Sequence, residues 1–474
     1  MGMGIIEQTS MITSAAGQQR SEADRYEPLL RVAAARAVRY LATIESRRVG
    51  PSSAAIASLA ELGGGLAEEG HGPEAVLDLL DRAGSPATMA VMGRRFFGGV
   101  IGGSLPVTVA AHWLADAWDQ NACLFELSPV AAYVEEVVLG WLIDLFGLPQ
   151  DAGGALVVGT QSAHLTALAA ARHALLANVG WDVEQDGLFG APPITVVVGE
   201  ETHATLLKAL ALLGLGRRRV VTVPADSQGR MRATSIPRLS GPTIICAQLG
   251  NVNSGCCDPL AALCDAARRS GAWVHVDGAF GMWARTAPAR RHLTEGLEQA
   301  DSWATDGHKW LNTPQDCGIA IVRQRETLRQ AMAVSGAYYG EPAGRDPMRW
   351  CPDSSRRARA IELWAALRYL GRRGIGDQIE RTCRLAAQFA EGLRRAGHEI
   401  LNEVVLNQVL VSFGAGERTD RVIKVIQDDG ICWCGGTTWH GRRAMRISVS
   451  SWATTESDVE ICLQAVDSAC RRCG

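Results

Sequence analysis

The sequence predicts an α/β fold: a mostly parallel sheet covered on both faces, followed by a smaller α+β unit. Through the middle of the chain, short β-branched runs alternate with Ala/Leu-rich helical stretches, the signature of successive β-α-β units. The last third changes to long helices interleaved with apolar strand-like runs. A chain of 474 residues, 47% apolar and 20% charged, has enough core for two or three domains and is too apolar for wholesale disorder.

The elements follow in order. Residues 1–20 are polar and read as a mobile tail. Residues 21–95 form an N-terminal helical segment, with helical periodicity over 26–42 and 73–83. A large domain is expected over 96–365. It opens with a Gly-rich loop (97–106) and two helices (107–118 and 129–146). Strands are expected at 155–158, 194–198, 220–223, 243–248, 273–276 and 319–322, with helices at 163–177 and 203–213 among them. A small domain over 366–474 follows a helix at 358–370. It has helices at 376–395, 418–429 and 456–470, and strands at 404–413 and 444–449.

Bulk properties exclude some functions. A net charge of −3 gives no broad basic surface for nucleic acid. The short runs Arg217-Arg218-Arg219 and Arg356-Arg357 read as solvated faces or loops. No stretch reaches the roughly 18 apolar residues of a membrane span, and the N-terminus lacks the order of a secretory signal. Thirteen scattered cysteines then read as reduced thiols of a cytoplasmic protein. Cys256-Cys257, Cys432-Trp433-Cys434 and Cys470 to Cys473 lack partners at zinc spacing, so no metal site is expected.

The chemistry concentrates in Val274-His275-Val276-Asp277-Gly278-Ala279 and, beyond it, Asp306-Gly307-His308-Lys309-Trp310. Asp277 ends an apolar strand, the edge where α/β sheets place ligands. Lys309 lies 309 − 277 = 32 residues later, at the mouth of the next strand-like unit. A carboxylate and a lysine so placed suit a pyridinium cofactor, the anion keeping the ring nitrogen protonated and the amine forming an imine. Spacing alone leaves a buried structural Asp–Lys pair as an equal alternative.

These two stretches resemble the group II decarboxylases that depend on pyridoxal phosphate (PLP): the aromatic amino acid, glutamate and cysteine-sulfinate enzymes. The similarity runs over about residues 26–466. Phe96-Phe97 with the Gly-rich loop, Asp119-Gln120-Asn121, Leu127-Ser128-Pro129 and Glu135-Glu136 resemble the glutamate branch in particular. The resemblance implies PLP fold type I: a large domain with a mainly parallel seven-stranded sheet, a small C-terminal α+β domain and an N-terminal helical segment. It also implies a homodimer with active sites at the subunit interface.

Carried over by resemblance, Lys309 is the Schiff-base lysine, Asp277 the partner of the pyridine nitrogen and Ala279 the contact on one ring face. His203 stacks on the other face; the plainer alternative makes it an ordinary helix-start residue. Gly159-Thr160-Gln161-Ser162-Ala163 joins a strand to a helix, and amides at a helix N-terminus bind anions. In the family this turn holds the phosphate, so Gln161, Ser162 and Ala163 are expected there with His308; Asp306 is a further cofactor-binding candidate. Thr160 and His164 depart from the family's Gly and Asn. Asn253, or Asn251, corresponds to a loop on the ring-hydroxyl side; a polar turn is the alternative. Arg446 matches an arginine that grips a substrate carboxylate with two parallel hydrogen bonds, against a structural salt bridge. Asn121 is a substrate-contact candidate, and Gly98 to Gly103 suggest a pocket roomier or reshaped relative to the aromatic enzymes.

The implied activity is decarboxylation of an L-amino acid to the amine and CO2 through the Lys309 aldimine. One feature departs from the family. Its loop tyrosine, which delivers the final proton, has no counterpart near Arg345-Asp346-Pro347-Met348, and the nearest phenols are Tyr338 and Tyr339. His203 or Lys309 could supply that proton. Without a donor, decarboxylation coupled to oxidative deamination becomes an alternative, as does a carbon–carbon lyase. A catalytically silent interaction module is the reading from another class.

Overall fold

Seven short strands of mostly apolar residues build the main sheet of the computed structural model, which describes residues 23–333 and 344–474. They are β1 (Gly153–Val157), β2 (Thr195–Gly199), β3 (Val221–Val223), β4 (Thr243–Gln248), β5 (Trp273–Asp277), β6 (Ser302–Asp306) and β7 (Gly318–Val322), in the order β1-β7-β6-β5-β4-β2-β3. Neighbours from β3 to β6 are parallel, and β7 alone runs antiparallel to both of its neighbours. Both faces are covered, so the strands read as continuous apolar runs rather than alternating ones.

β6 escapes the sequence reading because Ser302-Trp303-Ala304-Thr305-Asp306 carries no β-branched run, yet every residue of it is buried. Context outweighs propensity there. The two helices expected at 358–370 and 376–395 are observed within Ala360–Arg395, separated at Gly371, whose φ of 58° leaves the helical region. Arg356 is not on a solvated loop. It is buried against Glu135 and donates to the Leu156 and Ala122 carbonyls.

The small sheet is antiparallel throughout, β10-β11-β9-β8, from β8 (Glu399–Ile400), β9 (Gln408–Ser412), β10 (Gly435–Trp439) and β11 (Arg442–Ser448). The strand expected over 404–413 starts only at Gln408; Val404 has φ 53°, which an extended strand cannot pass through. Helices Gly416–Asp429 and Glu456–Arg472 complete this layer, the second begun by a reciprocal Thr455–Asp458 capping box. Phe97 packs edge-on against Phe389 within this smaller core, although it lies at the head of the large domain in sequence.

The chain divides into two units, Met1–Ala90 and Val91–Gly474. Both sheets lie in the second. The first holds helices Ala23–Ala42, Ser53–Ala57 and Pro73–Leu79, with Arg36 and Arg39 of the first helix paired to Asp78 and Asp81. The expected tail over 1–20 lies outside the described residues.

Candidate active site

β5 and β6 end on carboxylates, Asp277 and Asp306, at one edge of the sheet. Register brings other segments to that edge. Val157 ends β1 opposite Gly318, which in turn faces Asp306. The β1 end turns at Gly159 into helix Thr160–Ala177, and the close approach is obligatory. A Cβ on Gly318 would stand 2.4 Å from the Gly159 Cα, so only glycine fits. No side chain of Gly159 caps this helix. The amides of Thr160, Gln161 and Ser162 therefore face outward, an anion-binding arrangement.

The lysine segment follows β6. Lys309 Nζ lies 3.4 Å from Asp306 Oδ2, and Thr160 donates a short hydrogen bond to the same oxygen. Asp306 Oδ1 is buried without a partner. His308 Nδ1 accepts the Cys317 amide at 3.0 Å, so the ring proton sits on Nε2, 3.7 Å from Asp306. Asp277 Oδ1 accepts the Ala279 amide at 3.1 Å. Burial alone would raise the Asp277 pKa, but His164, Lys309 and His203 reverse that and hold it well below the usual carboxylate range. The group is an anion in the sheet interior.

His203 ends the turn after β2 and is the N-cap of helix Ala204–Leu212, so the plain reading of it as a helix start is correct as far as it goes. Its Nδ1 accepts the Thr205 amide, which leaves the proton on Nε2. Burial lowers its pKa, with Asp277 opposing and Lys309, His164 and Arg446 adding to the fall. Those influences put Asp277, Lys309, Arg446 and His203 in one neighbourhood. Arg446 on β11 donates only a long bond to the Val252 carbonyl, 3.4 Å, and its Nε is buried without a partner. Asn253 stands beside it, its Oδ1 accepting from Thr437, while Asn251 organises the turn by accepting the Asn253 and Ser254 amides.

Asn121 is held by protein partners. Its amide spans Ser355 and the Arg356 backbone, bracketing the 355–357 segment. Arg345 to Met348 are also anchored. Arg345 stacks over Trp350 at 4.2 Å and donates to the Gly154 carbonyl, and Asp346 accepts the Phe125 amide. Tyr338 and Tyr339 lie outside the described residues. In the Gly-rich stretch, a Cβ on Gly98 would run into the Trp433 ring that stacks on Phe96. Sequence reasoning missed His275, read only as a strand residue although its ring meets His164 at 2.9 Å.

These residues fit pyridoxal phosphate. Outward amides can take a phosphate, a buried anion a ring nitrogen, and a partly exposed amine a carbonyl; Asp306 Oδ1 and Arg446 Nε are buried polar atoms with no protein partner, which a polar ligand would satisfy.

The family model of the pyridoxal-dependent decarboxylase conserved domain matches residues 95–415. The chain belongs to that family, whose enzymes are PLP-dependent lyases. Rice tryptophan decarboxylase 1 (Oryza sativa subsp. japonica) is 29% identical over 74% of this chain and 75% of its own. Phenylacetaldehyde synthase of Arabidopsis thaliana is 27% identical over 70% and 73%. The crystal structure of Oryza sativa TDC with PLP and tryptamine superposes with a TM-score of 0.87 at 23% identity, over 96% of this chain and 99% of that one. The fold expected from the sequence, a seven-stranded mainly parallel sheet with a small α+β domain, is the fold observed.

Proposed function

We propose that the chain removes CO2 from an L-amino acid, giving the amine, with PLP held at Lys309. The observation that carries this is the gathering of an amine and two buried carboxylates at one sheet edge, with the partly buried Arg446 guanidinium brought to the same neighbourhood from the small sheet. When bound, PLP supplies an electrophilic carbonyl and an electron-withdrawing ring that takes the electron pair left when CO2 departs. Lys309 would hold the carbonyl carbon and Asp277 the ring nitrogen. Gln161, Ser162 and His308 would hold the phosphate, the Ala163 amide being already bonded to the Gly159 carbonyl, with Asp306 steadying Lys309 and Ala279 and Asn253 beside the ring. Neutral His203 presents its Nε2–H to the substrate, and Arg446 takes a substrate carboxylate in two parallel bonds.

The anchored, tyrosine-free Arg345 to Met348 stretch and the aldehyde-synthase relative favour a second reading. There, amino acid, O2 and water give aldehyde, CO2, ammonia and hydrogen peroxide. An amino acid panel assayed for CO2 with and without oxygen separates the two. Amine without peroxide supports the first, and peroxide with ammonia in equal amounts supports the second. CO2 from no amino acid by PLP-loaded protein would return the carbon–carbon lyase and the silent module to consideration.

A homodimer and a cytoplasmic location complete the proposal. Tyr26, Leu30 and Val38 are more than half exposed on helix Ala23–Ala42, an apolar surface suited to a second copy. Among the described residues no helix is long and apolar enough to cross a membrane, and the cysteines are unpaired.

A further inference from the structure

Behind Asp277 lies a file of polar side chains that the proposed chemistry does not use. Trp273, His275 and Asp277 alternate along β5, so their side chains share one face of the sheet. Ser302 of β6 pairs with His275 across the ladder. His164 arrives from helix Thr160–Ala177. Its Nδ1 lies 2.9 Å from His275 Nε2, and its Nε2 lies 3.4 Å from Asp277 Oδ2, a contact short of full hydrogen-bond geometry. His275 Nδ1 is 2.9 Å from Ser302 Oγ, and the Trp273 indole donates to that hydroxyl at 2.8 Å. His164, His275 and Ser302 are fully buried, so the file must satisfy itself.

Its two ends set its direction. An indole N–H can only donate, and an ionised carboxylate can only accept. Ser302 accepts from Trp273 and gives its own proton to His275 Nδ1. His275 then donates from Nε2 to His164 Nδ1, and His164 turns its Nε2–H toward Asp277 Oδ2, 3.4 Å away. Both rings are neutral in this order, and each proton has an acceptor. A second proton on His164 would reverse the His164–His275 and His275–Ser302 links and leave the Ser302 proton without an acceptor. Burial, which holds the His275 pKa well below the ordinary histidine range, favours the neutral order.

We propose that His164 and His275 are positioning residues that carry this ordered file to Asp277 and hold its carboxylate aimed at the ring nitrogen of PLP. The proposal rests on Asp277 being the ring-nitrogen partner.

The test compares substitutions of similar volume. His164→Met removes both bonding atoms, whereas His164→Gln keeps one acceptor and one donor. PLP is titrated into the apo-protein, and both its dissociation constant and the visible absorption of the loaded protein are read. His164→Met should weaken PLP binding about tenfold, the order found when outer partners of a ligating group are removed, and shift the absorption. His164→Gln should stay within about threefold of wild type, and the His164→Met/His275→Met double variant should be no weaker than His164→Met alone, because one cut interrupts the file. Ser302→Ala, the smallest packing change, should give a partial loss if the Met variants do not fold. Equal behaviour of Met and Gln, additive losses in the double variant, or wild-type binding by His164→Met would overturn the proposal. Asp277→Asn separates the two levels. Wild-type PLP affinity in that variant defeats the underlying reading, whereas weakened affinity there with unaffected His164→Met defeats the file alone.

Discussion

Asp277 keeps its charge where burial opposes it, and that sets how it responds to acid. Its folded pKa is depressed below the ordinary 3.8. The stability it contributes is therefore complete above 3.8 and is lost as pH falls from there through the folded value. The His203 pKa is also lowered, by burial and against the pull of Asp277. Burial pushes its pKa below 6.5, so the ring is neutral at pH 7 and charges only in more acid solution. The acid limb of kcat/KM should lie below pH 6.5 and be displaced or lost in His203→Gln; a limb at pH 7 or above would contradict the assignment. Lys309 and Asp277 were legible because each sits in a short run with a chemical reason for both. The His164–His275 contact was not, since it joins a helix and a strand 111 positions apart and nothing in the local pattern of either distinguishes it from a buried polar residue.

Elements meet the site through a few buried charges. Arg356 joins β1 to helix Pro129–Phe146 by donating to the Leu156 carbonyl and pairing with Glu135, and it also holds the Ala122 carbonyl. Its removal strands the Glu135 carboxylate, which keeps only Arg345 at 3.5 Å. Arg356→Met should lower stability by about 3–5 kcal/mol, read from urea midpoints, while a loss below about 1 kcal/mol would show that the pair carries little. The Thr455–Asp458 box is a smaller case. Thr455→Ala should cost about 1 kcal/mol, seen as a modest fall in Tm. Strands β2, β4 and β5 were readable from Val and Ile runs. β6 was not, because its Trp303 and Ala304 acquire strand geometry from the neighbours they pack between, and the start of β9 was misplaced because Val404 adopts a conformation that valine rarely takes.

For the whole molecule, the account joins a family fold to one particular lysine. Alternating strands and helices made the sheet class readable, and the resemblance supplied the strand count; the N-terminal segment was expected to end at residue 95, and the chain divides after Ala90. Light scattering should give about twice the 50.6 kDa chain mass, and a monomer at micromolar concentration would contradict the proposed dimer. The central claim has a more direct test, because the sequence contains only three lysines, Lys208, Lys309 and Lys424. PLP-loaded protein is reduced with borohydride, digested and analysed by mass spectrometry. The account predicts the phosphopyridoxyl group on the Lys309 peptide, whereas its appearance on Lys208 or Lys424, or on no lysine, would contradict it.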